Sequence, residues 1–182
     1  KKFNLMIQKQ TNHLINEINK SNNIDGKLIG CAAIILVGLS YKIEKNYLSP
    51  DLDILKKISK TSLDNTGFPK TRSIKQLVFY LKYFILIREW FREAQITVPE
   101  HVEETIYYLG QGYAFIWQNV KIDLFFNGNT NSNNYEFDSY LQRLGYKFKN
   151  ENHDFGGYVV FKDKKTGLVM DVGSTPNQKY TK

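Results

Sequence analysis

The histidines and the single cysteine are the first side chains of this 182-residue chain to consider for chemistry. His13 and His101 fall on predicted helices, where we expect them to be exposed. His153 is followed directly by Asp154, and such a pair can serve general acid–base catalysis, although a solvated loop pair is more common. Cys31 lies in an apolar run without a neighbouring base, so we expect an inert buried thiol. One cysteine builds neither a disulfide framework nor a cysteine-based metal site.

Aromatic side chains offer a second chemistry, because the face of an aromatic ring can stack on a sugar. Trp90 lies in one apolar helical pattern, and Tyr107, Tyr108, Tyr113 and Trp117 lie in the next. At helical spacing the same residues also serve as core and inter-helix packing. The sequence leaves both interpretations open.

The charge balance favours anionic partners. The chain has a formal net charge of +7 and an isoelectric point near 9.3, which suits nucleic acid, anionic lipid or acidic polysaccharide. The lysines are scattered singly and form no dense basic tract, so we do not expect a nucleic-acid partner. The alternative is an ordinary solvated lysine surface.

Hydrophobic periodicity predicts five main helices that position these side chains. They cover about 3–20, 28–43, a segment that starts at Ser49-Pro50-Asp51, the segment 74–94, and a segment that follows a Thr97-to-Glu100 capping box. A short helix with Gly145 after its end follows. The apolar run 28–41 has 14 residues, whereas a bilayer span needs about 20. We therefore expect a buried core helix and no membrane span.

The C-terminal part of the chain changes from helical to β patterning. Two alternating apolar runs over about 155–172 predict a β-hairpin with a charged turn. A two-stranded hairpin is marginally stable alone in water, so we expect partner strands beyond Lys182. The five helices indicate stacked antiparallel helical hairpins. The predicted fold class is mainly α, with a helical region over 1–150 and the start of a β-domain over 151–182.

Four short motifs follow one another between residues 25 and 174. They are TGFPKTRSI (66–74), LIREWFREAQITVPEHVEETI (86–106), DLFFNG (123–128) and FGGYVVFKDKKTGLVMDVGS (155–174). In this order and spacing they resemble the heparinase II/III-like polysaccharide lyase family, and especially its alphaproteobacterial-type branch. The resemblance implies an incomplete α/α-toroid of antiparallel helical hairpins followed by the first hairpin of an antiparallel β-sandwich.

The family's chemistry sets the functional expectation. Its enzymes cleave acidic, uronate-containing glycans by β-elimination, so the resemblance implies an acidic polysaccharide as partner and the periplasm or cell envelope as location. The reaction needs a group that offsets the C6 carboxylate, a base for the C5 proton and an acid for the departing O4. The cleft lies between toroid and sandwich, so we expect this segment alone to be inactive.

Two residues carry the catalytic positions of the resemblance. Asp25, with Gly26, stands where many members have an Asn-His pair, and its ionised carboxylate cannot donate a hydrogen bond to a substrate carboxylate. Its structural alternative is a turn or helix N-cap. Arg72 matches the family loop, as does Gly67, and its alternative role is to hydrogen-bond loop carbonyls.

Two further residues are expected to bind substrate. Gln76 stands at the family's tyrosine position, followed by Leu77 in place of a histidine. A glutamine cannot act as the base, so it would orient a sugar. Asn127 belongs to the FNG loop and either lines the cleft or makes a turn. We expect no cofactor and no metal site within these 182 residues; a metal ion held by a β-domain histidine would lie beyond Lys182.

Two other function classes stay open. The scaffold could bind an acidic glycan without cleaving it, an interpretation that the replaced tyrosine favours. The helices taken alone also fit an α-solenoid that binds protein partners. That third hypothesis has no need of the C-terminal hairpin.

Overall fold

The computed structural model describes residues 2–41, 48–120 and 135–174. These residues form a mainly helical fold with a small antiparallel sheet, which confirms the predicted fold class at this level. The described helices are α1 (Lys2–Lys20), α2 (Ile24–Tyr41), α3 (Leu48–Ser62), α4 (Ile74–Glu93), α5 (Glu100–Val120) and α6 (Tyr135–Arg143), and the strands are β1 (Asp154–Phe155), β2 (Tyr158–Lys162) and β3 (Gly167–Asp171).

Two helix starts differ from the prediction. Helix α2 begins four residues early, because the Asn23 side-chain oxygen accepts a hydrogen bond from the Gly26 backbone N–H at 3.1 Å and caps the first turn. Helix α5 begins at Glu100, and the Pro99 carbonyl accepts the first helical hydrogen bond, from Val102 at 2.9 Å. The predicted capping box is therefore wrong.

Contacts divide the chain into two units. The first unit is Lys1–Ser62 with Lys82–Glu103, in which α1 and α3 both pack on α2. Eight residues of α2 are buried, as expected of a core helix. Among the described helices, α2 alone is also long and apolar enough to cross a membrane, a test that core helices pass as well. The absence of a membrane span stays a prediction.

The second unit is Leu63–Leu81 with Glu104–Lys182. Its core is formed by apolar side chains from the start of α4, from α5 and from β2; among them are Leu77, Tyr80, Leu109, Phe115 and Tyr158. Gly145 follows the end of the short helix α6, as predicted, with a φ of +78°, and the Tyr146 N–H donates to the Leu141 carbonyl at 2.9 Å. The predicted boundary at residue 150 stays a prediction.

The sheet has one strand more than the prediction. Strand β1 pairs antiparallel with β2, with Phe155 opposite Tyr158. Between them Gly156 and Gly157 both have positive φ, +57° and +81°, a conformation that glycine adopts without steric cost. The strand order in the described sheet is β1-β2-β3. The two-residue β1 is too short for a period-two signal, which is why the sequence did not predict it.

The two faces of the β2–β3 ribbon differ. On one face Tyr158 and Val160 are 0% and 3% exposed. On the other, Phe161 lies opposite Leu168, and their side chains are 58% and 53% exposed. The described residues therefore cover one face of the ribbon and leave the other face exposed.

Candidate functional site

The loop 63–73, which joins α3 to α4, is held in a fixed shape by one carboxylate. Asp64 Oδ1 accepts hydrogen bonds from the Thr66 backbone N–H at 2.8 Å, the Thr66 hydroxyl at 2.7 Å and the Phe68 N–H at 2.9 Å. The Asp64 N–H donates in turn to the Phe68 carbonyl at 2.8 Å. These bonds satisfy the backbone of a tight turn, so the loop presents its next residues in a defined geometry.

Arg72 joins this loop to the ribbon. Its Nη1 donates to Asp171 Oδ1 at 2.6 Å, across 99 residues of sequence, and the two side chains are only 12% and 20% exposed. The Arg72 carbonyl accepts a hydrogen bond from the Tyr158 hydroxyl at 2.6 Å. Arg72 itself has a φ of +56°, which is uncommon for a residue with a side chain. Two interactions of one residue, with Asp171 and with Tyr158, thus fix the loop against β2 and β3.

Glycines give the guanidinium its space. A Cβ on Gly173 would collide with Arg72 Nη1, and one on Gly157 would lie 3.2 Å from Arg72 Cδ. The Gly157 carbonyl accepts hydrogen bonds from Val172 and Gly173, both at 2.9 Å. The guanidinium therefore lies close against a glycine-containing stretch of backbone, which side chains at these positions would disturb.

An aromatic cluster lies beside the ion pair. The Phe68 ring is 5.8 Å from Tyr158 and 6.2 Å from Phe155, and Phe155 is 5.8 Å from Phe115. Such centroid distances are those of favourable aromatic pairs. The cluster joins the loop, α5 and the first two strands in one apolar core. We call the loop 63–73 with its contacts on β2 and β3 the loop–ribbon junction.

The structure places the predicted site residues as follows. Gln76 lies next to this junction, where its side-chain oxygen accepts a hydrogen bond from the Thr71 hydroxyl at 2.6 Å. Asp25 lies in the first turn of α2 in the other unit, and the capping role considered for it belongs to Asn23. Asn127 lies outside the described residues. Of the four, the structure brings together Arg72 and Gln76.

The histidines give no acid–base pair at the junction. His13 and His153 are exposed, and Asp154 is exposed as well. His101 is half-buried, so its predicted full exposure is wrong. Among the described residues no group of three or more histidine, cysteine or acidic side chains could hold a metal ion.

A second cluster lies in the same unit, between the end of α5, helix α6 and the segment 146–149. It surrounds a cavity of about 270 Å³. The Tyr113 and Trp117 rings lie nearly parallel on one side, 6.3 Å apart with an interplanar angle of 12°, and Tyr146 and Phe148 line another part. We call this space the aromatic cavity. Two of the aromatic residues considered for sugar stacking, Tyr113 and Trp117, thus border a cavity.

Acidic and amide groups sit at the same cavity. Gln142 Nε2 donates to Asp138 Oδ2 at 2.7 Å, within α6. Burial, followed by the charge of nearby Asp138, raises the pKa of the Tyr113 hydroxyl well above its usual value. Tyr113 is therefore a neutral phenol at any physiological pH and can act as a hydrogen-bonding group, not as a base.

Sequence reasoning missed the partner of Arg72 and most of the cavity. Asp171 is a charged residue in step with Val169 in an alternating strand, a pattern that marks its position but does not indicate its partner. Lys147 and Lys149 flank Phe148 in the same alternating fashion, a pattern that indicates an extended segment with one basic face. Asp138 gave no signal, because any amphipathic helix carries such residues.

Comparison with protein-family models, with curated proteins and with solved structures found no match for this chain.

Proposed function

We propose that this chain is the end of the helical domain and the start of the β-domain of a heparinase II/III-like polysaccharide lyase, acting on acidic, uronate-containing glycans by β-elimination. One observation carries the proposal. Two of the four stretches that resemble the family, 66–74 and 155–174, are about 90 residues apart in sequence and meet at the loop–ribbon junction through Arg72 and Asp171. Such a contact fits the proposed fold, in which the end of the helical domain packs on the first strands of the β-domain.

The half-covered ribbon supports the same proposal. Strand β3 is an edge strand in the described sheet, and the outer ribbon face exposes Phe161, Leu168, Met170 and Val172. Exposed apolar faces and open strand edges are usually covered in native proteins. A second sheet over this face gives the sandwich that the resemblance implies.

In this proposal Arg72 has a positioning role. Its guanidinium is bound to Asp171 and packed against glycine backbone, so contact with a substrate carboxylate would require the ion pair to open. Gln76 has a neutral amide that cannot take the C5 proton, and its bond to Thr71 holds it beside the loop. In this proposal the loop–ribbon junction shapes one wall of the cleft, and the base comes from another residue.

The reaction gives the decisive test. When the base removes the C5 proton and the C4–O4 bond breaks, a C4=C5 double bond conjugated to the C6 carboxylate forms and absorbs in the ultraviolet. The intact protein that contains these residues is incubated with a panel of uronate polysaccharides, and new ultraviolet absorbance is expected from at least one. The matched control is the same polysaccharide with its carboxylates reduced to alcohols, because the C5 proton then loses its acidity. New reducing ends without absorbance would contradict the proposal.

A second function, acidic-glycan binding without cleavage, is favoured by Gln76, which occupies the tyrosine position of the resemblance. It predicts saturable binding of the uronate polysaccharide and no product. The α-solenoid interpretation loses support, because the ribbon packs into the core of the second unit through Tyr158 and Val160.

A further inference from the structure

The aromatic cavity is a small space lined by both apolar and polar side chains. Its volume of about 270 Å³ lies just below the range of about 300 to 1,000 Å³ found for drug-sized ligands. It has room for one sugar ring rather than for several. Ala114 and Leu141, both buried, contribute to its apolar lining.

One wall of the cavity is aromatic. Tyr113 and Trp117 are four residues apart on α5, so their side chains lie on one helix face, and their nearly parallel rings stack on each other. Phe137 packs against Tyr113 at 5.6 Å and Tyr135 against Trp117 at 5.4 Å, both at nearly perpendicular angles. Aromatic rings that border a cavity suit the C–H face of a pyranose ring.

The lining of the cavity also carries charge of both signs. Lys147 and Lys149 line the cavity and are exposed, and neither has an ion-pair partner in the part of the chain that the structure describes. Asp138 and Gln142 line it as well. Lysine ammonium groups bind a carboxylate, whereas a carboxylate and an amide accept and donate hydrogen bonds to hydroxyl groups. A fixed carboxylate also disfavours ligands with several negative charges, such as polyphosphates.

The segment 146–150 is held against α5 by two contacts. A Cβ on Gly110 would collide with the Phe148 ring, so the glycine lets this ring pack directly on the helix. Asn150 Nδ2 donates to the Gln111 carbonyl at 3.1 Å. Phe148 and Asn150 thus anchor the segment that carries Lys147 and Lys149 at the cavity.

We propose that the aromatic cavity binds one hexuronate unit of an acidic glycan, with the sugar ring on Trp117 and Tyr113, its carboxylate on Lys147 and Lys149, and its hydroxyls on Asp138 and Gln142. The choice of an acidic glycan as ligand rests on the proposed function, whereas the site itself rests on the cavity. It is a binding subsite away from the loop–ribbon junction and takes no part in bond cleavage.

Trp117 gives the site its own optical probe. The chain has two tryptophans, so Trp90→Phe leaves Trp117 as the single indole. The 182-residue chain carrying this change is titrated with trisaccharides of glucuronate, galacturonate and mannuronate, and with maltotriose as a neutral probe of equal length. We expect a saturable change in Trp117 fluorescence with at least one acidic trisaccharide and weaker binding of maltotriose. No saturable change with any of them, or maltotriose binding as tightly, would overturn the proposal.

Two double variants test whether the lysines at the cavity bind the ligand locally or act only through the net charge of the protein. Lys147→Gln with Lys149→Gln removes two positive charges at the cavity, and we expect the dissociation constant of the acidic trisaccharide to rise at least about tenfold. Lys164→Gln with Lys165→Gln removes the same charge from the exposed hairpin turn, and we expect less than about a twofold change. Both replacements are at exposed positions, so folding is expected to be retained. Equal losses in the two double variants would overturn the site.

The same measurements distinguish a wrong subsite from a wrong proposed function. Trisaccharide binding at Trp117 without any eliminative product in the intact protein leaves the subsite standing and refutes the lyase. Eliminative product with a KM that the Lys147 and Lys149 changes leave unaltered refutes the subsite and leaves the lyase standing.

Discussion

Two aspartates, one in each unit, are largely buried, but the surroundings of their carboxylates differ. Asp171 accepts hydrogen bonds from Arg72 Nη1 at 2.6 Å and from the Gly173 backbone N–H at 3.3 Å. Asp51, in the first turn of α3, is 1% exposed, and its Oδ2 has no hydrogen-bond partner among the described residues. A buried carboxylate is tolerated when donors match it and is costly when they do not.

The buried carboxyl of Asp51 affects two pKa values, its own and that of Cys31. Burial raises the pKa of the Asp51 carboxyl from 3.8 to about 6. Burial, and next the charge of Asp51, raises the pKa of the Cys31 thiol to about 12. This confirms the expectation of an inert, buried cysteine. Charge therefore stabilises the loop–ribbon junction, where a guanidinium matches the carboxylate. At α3 the unmatched charge of Asp51 is destabilising, and apolar contacts hold the helix in place.

The largest effect is expected from breaking the ion pair at the loop–ribbon junction. Arg72→Ala leaves Asp171 without its guanidinium in a mostly buried site, and we expect a loss of about 3 kcal/mol in the free energy of unfolding. Urea unfolding at pH 7 measures it. Lys75→Ala removes a cation from an exposed position nearby and should cost less than about 0.5 kcal/mol. Equal losses in the two variants would show that Arg72 acts only through net charge.

The pair itself is tested by a double-mutant cycle. Asp171→Ala alone also leaves a buried charge unmatched, whereas Arg72→Ala with Asp171→Ala removes both. We therefore expect the double variant to be more stable than the sum of the single losses predicts, by about 2 kcal/mol. Additive losses would mean that the two residues stabilise the fold independently.

The next effect has the opposite sign. Asp51→Asn removes the buried charge, and we expect a gain of about 1–2 kcal/mol in unfolding free energy at pH 7. Because the folded-state pKa lies above the unfolded one, Asp51 makes the wild type most stable below about pH 4, and this contribution is lost as the pH rises through about 6. The variant should lack that part of the pH dependence. Asp53→Asn, at an exposed position of α3, is the matched control and should retain it.

The smallest effect concerns the backbone around the guanidinium. Gly173→Ala places a Cβ against Arg72, and we expect a loss of about 1 kcal/mol because the bound side chain must shift. Gly167→Ala in the hairpin meets no atom within 4 Å and should be neutral or slightly stabilising. Thermal unfolding of the two alanine variants compares them directly. A Gly173→Ala protein as stable as the Gly167→Ala protein would contradict the close packing.

The sequence predicted most of the helices because their apolar residues repeat over four or five turns. The predicted starts of α2 and α5 were wrong, because hydrogen bonds to Asn23 and Pro99 determine where these helices begin. The sequence also failed to predict β1, whose two residues are too few for a pattern. Regular elements are therefore readable from periodicity, whereas their ends depend on single side-chain and backbone contacts.

The site was less predictable than the fold. Arg72 was singled out from its motif, but its partner Asp171 lies 99 residues away, and no local pattern encodes a contact at that separation. The aromatic cavity needs α5, α6 and the segment 146–149 together, so Trp117 and Tyr113 could be noticed as sugar-stacking candidates while the lysines that line the same cavity could not.

The most direct test of the lyase proposal is the mass of the products that the intact protein makes from a defined hexuronate oligosaccharide. β-Elimination adds no atoms, so the masses of the two products are expected to sum to that of the substrate, with the C4=C5 double bond on the new non-reducing end. Products that together gain one water, as hydrolysis gives, or an oligosaccharide recovered uncut after saturable binding, would contradict it.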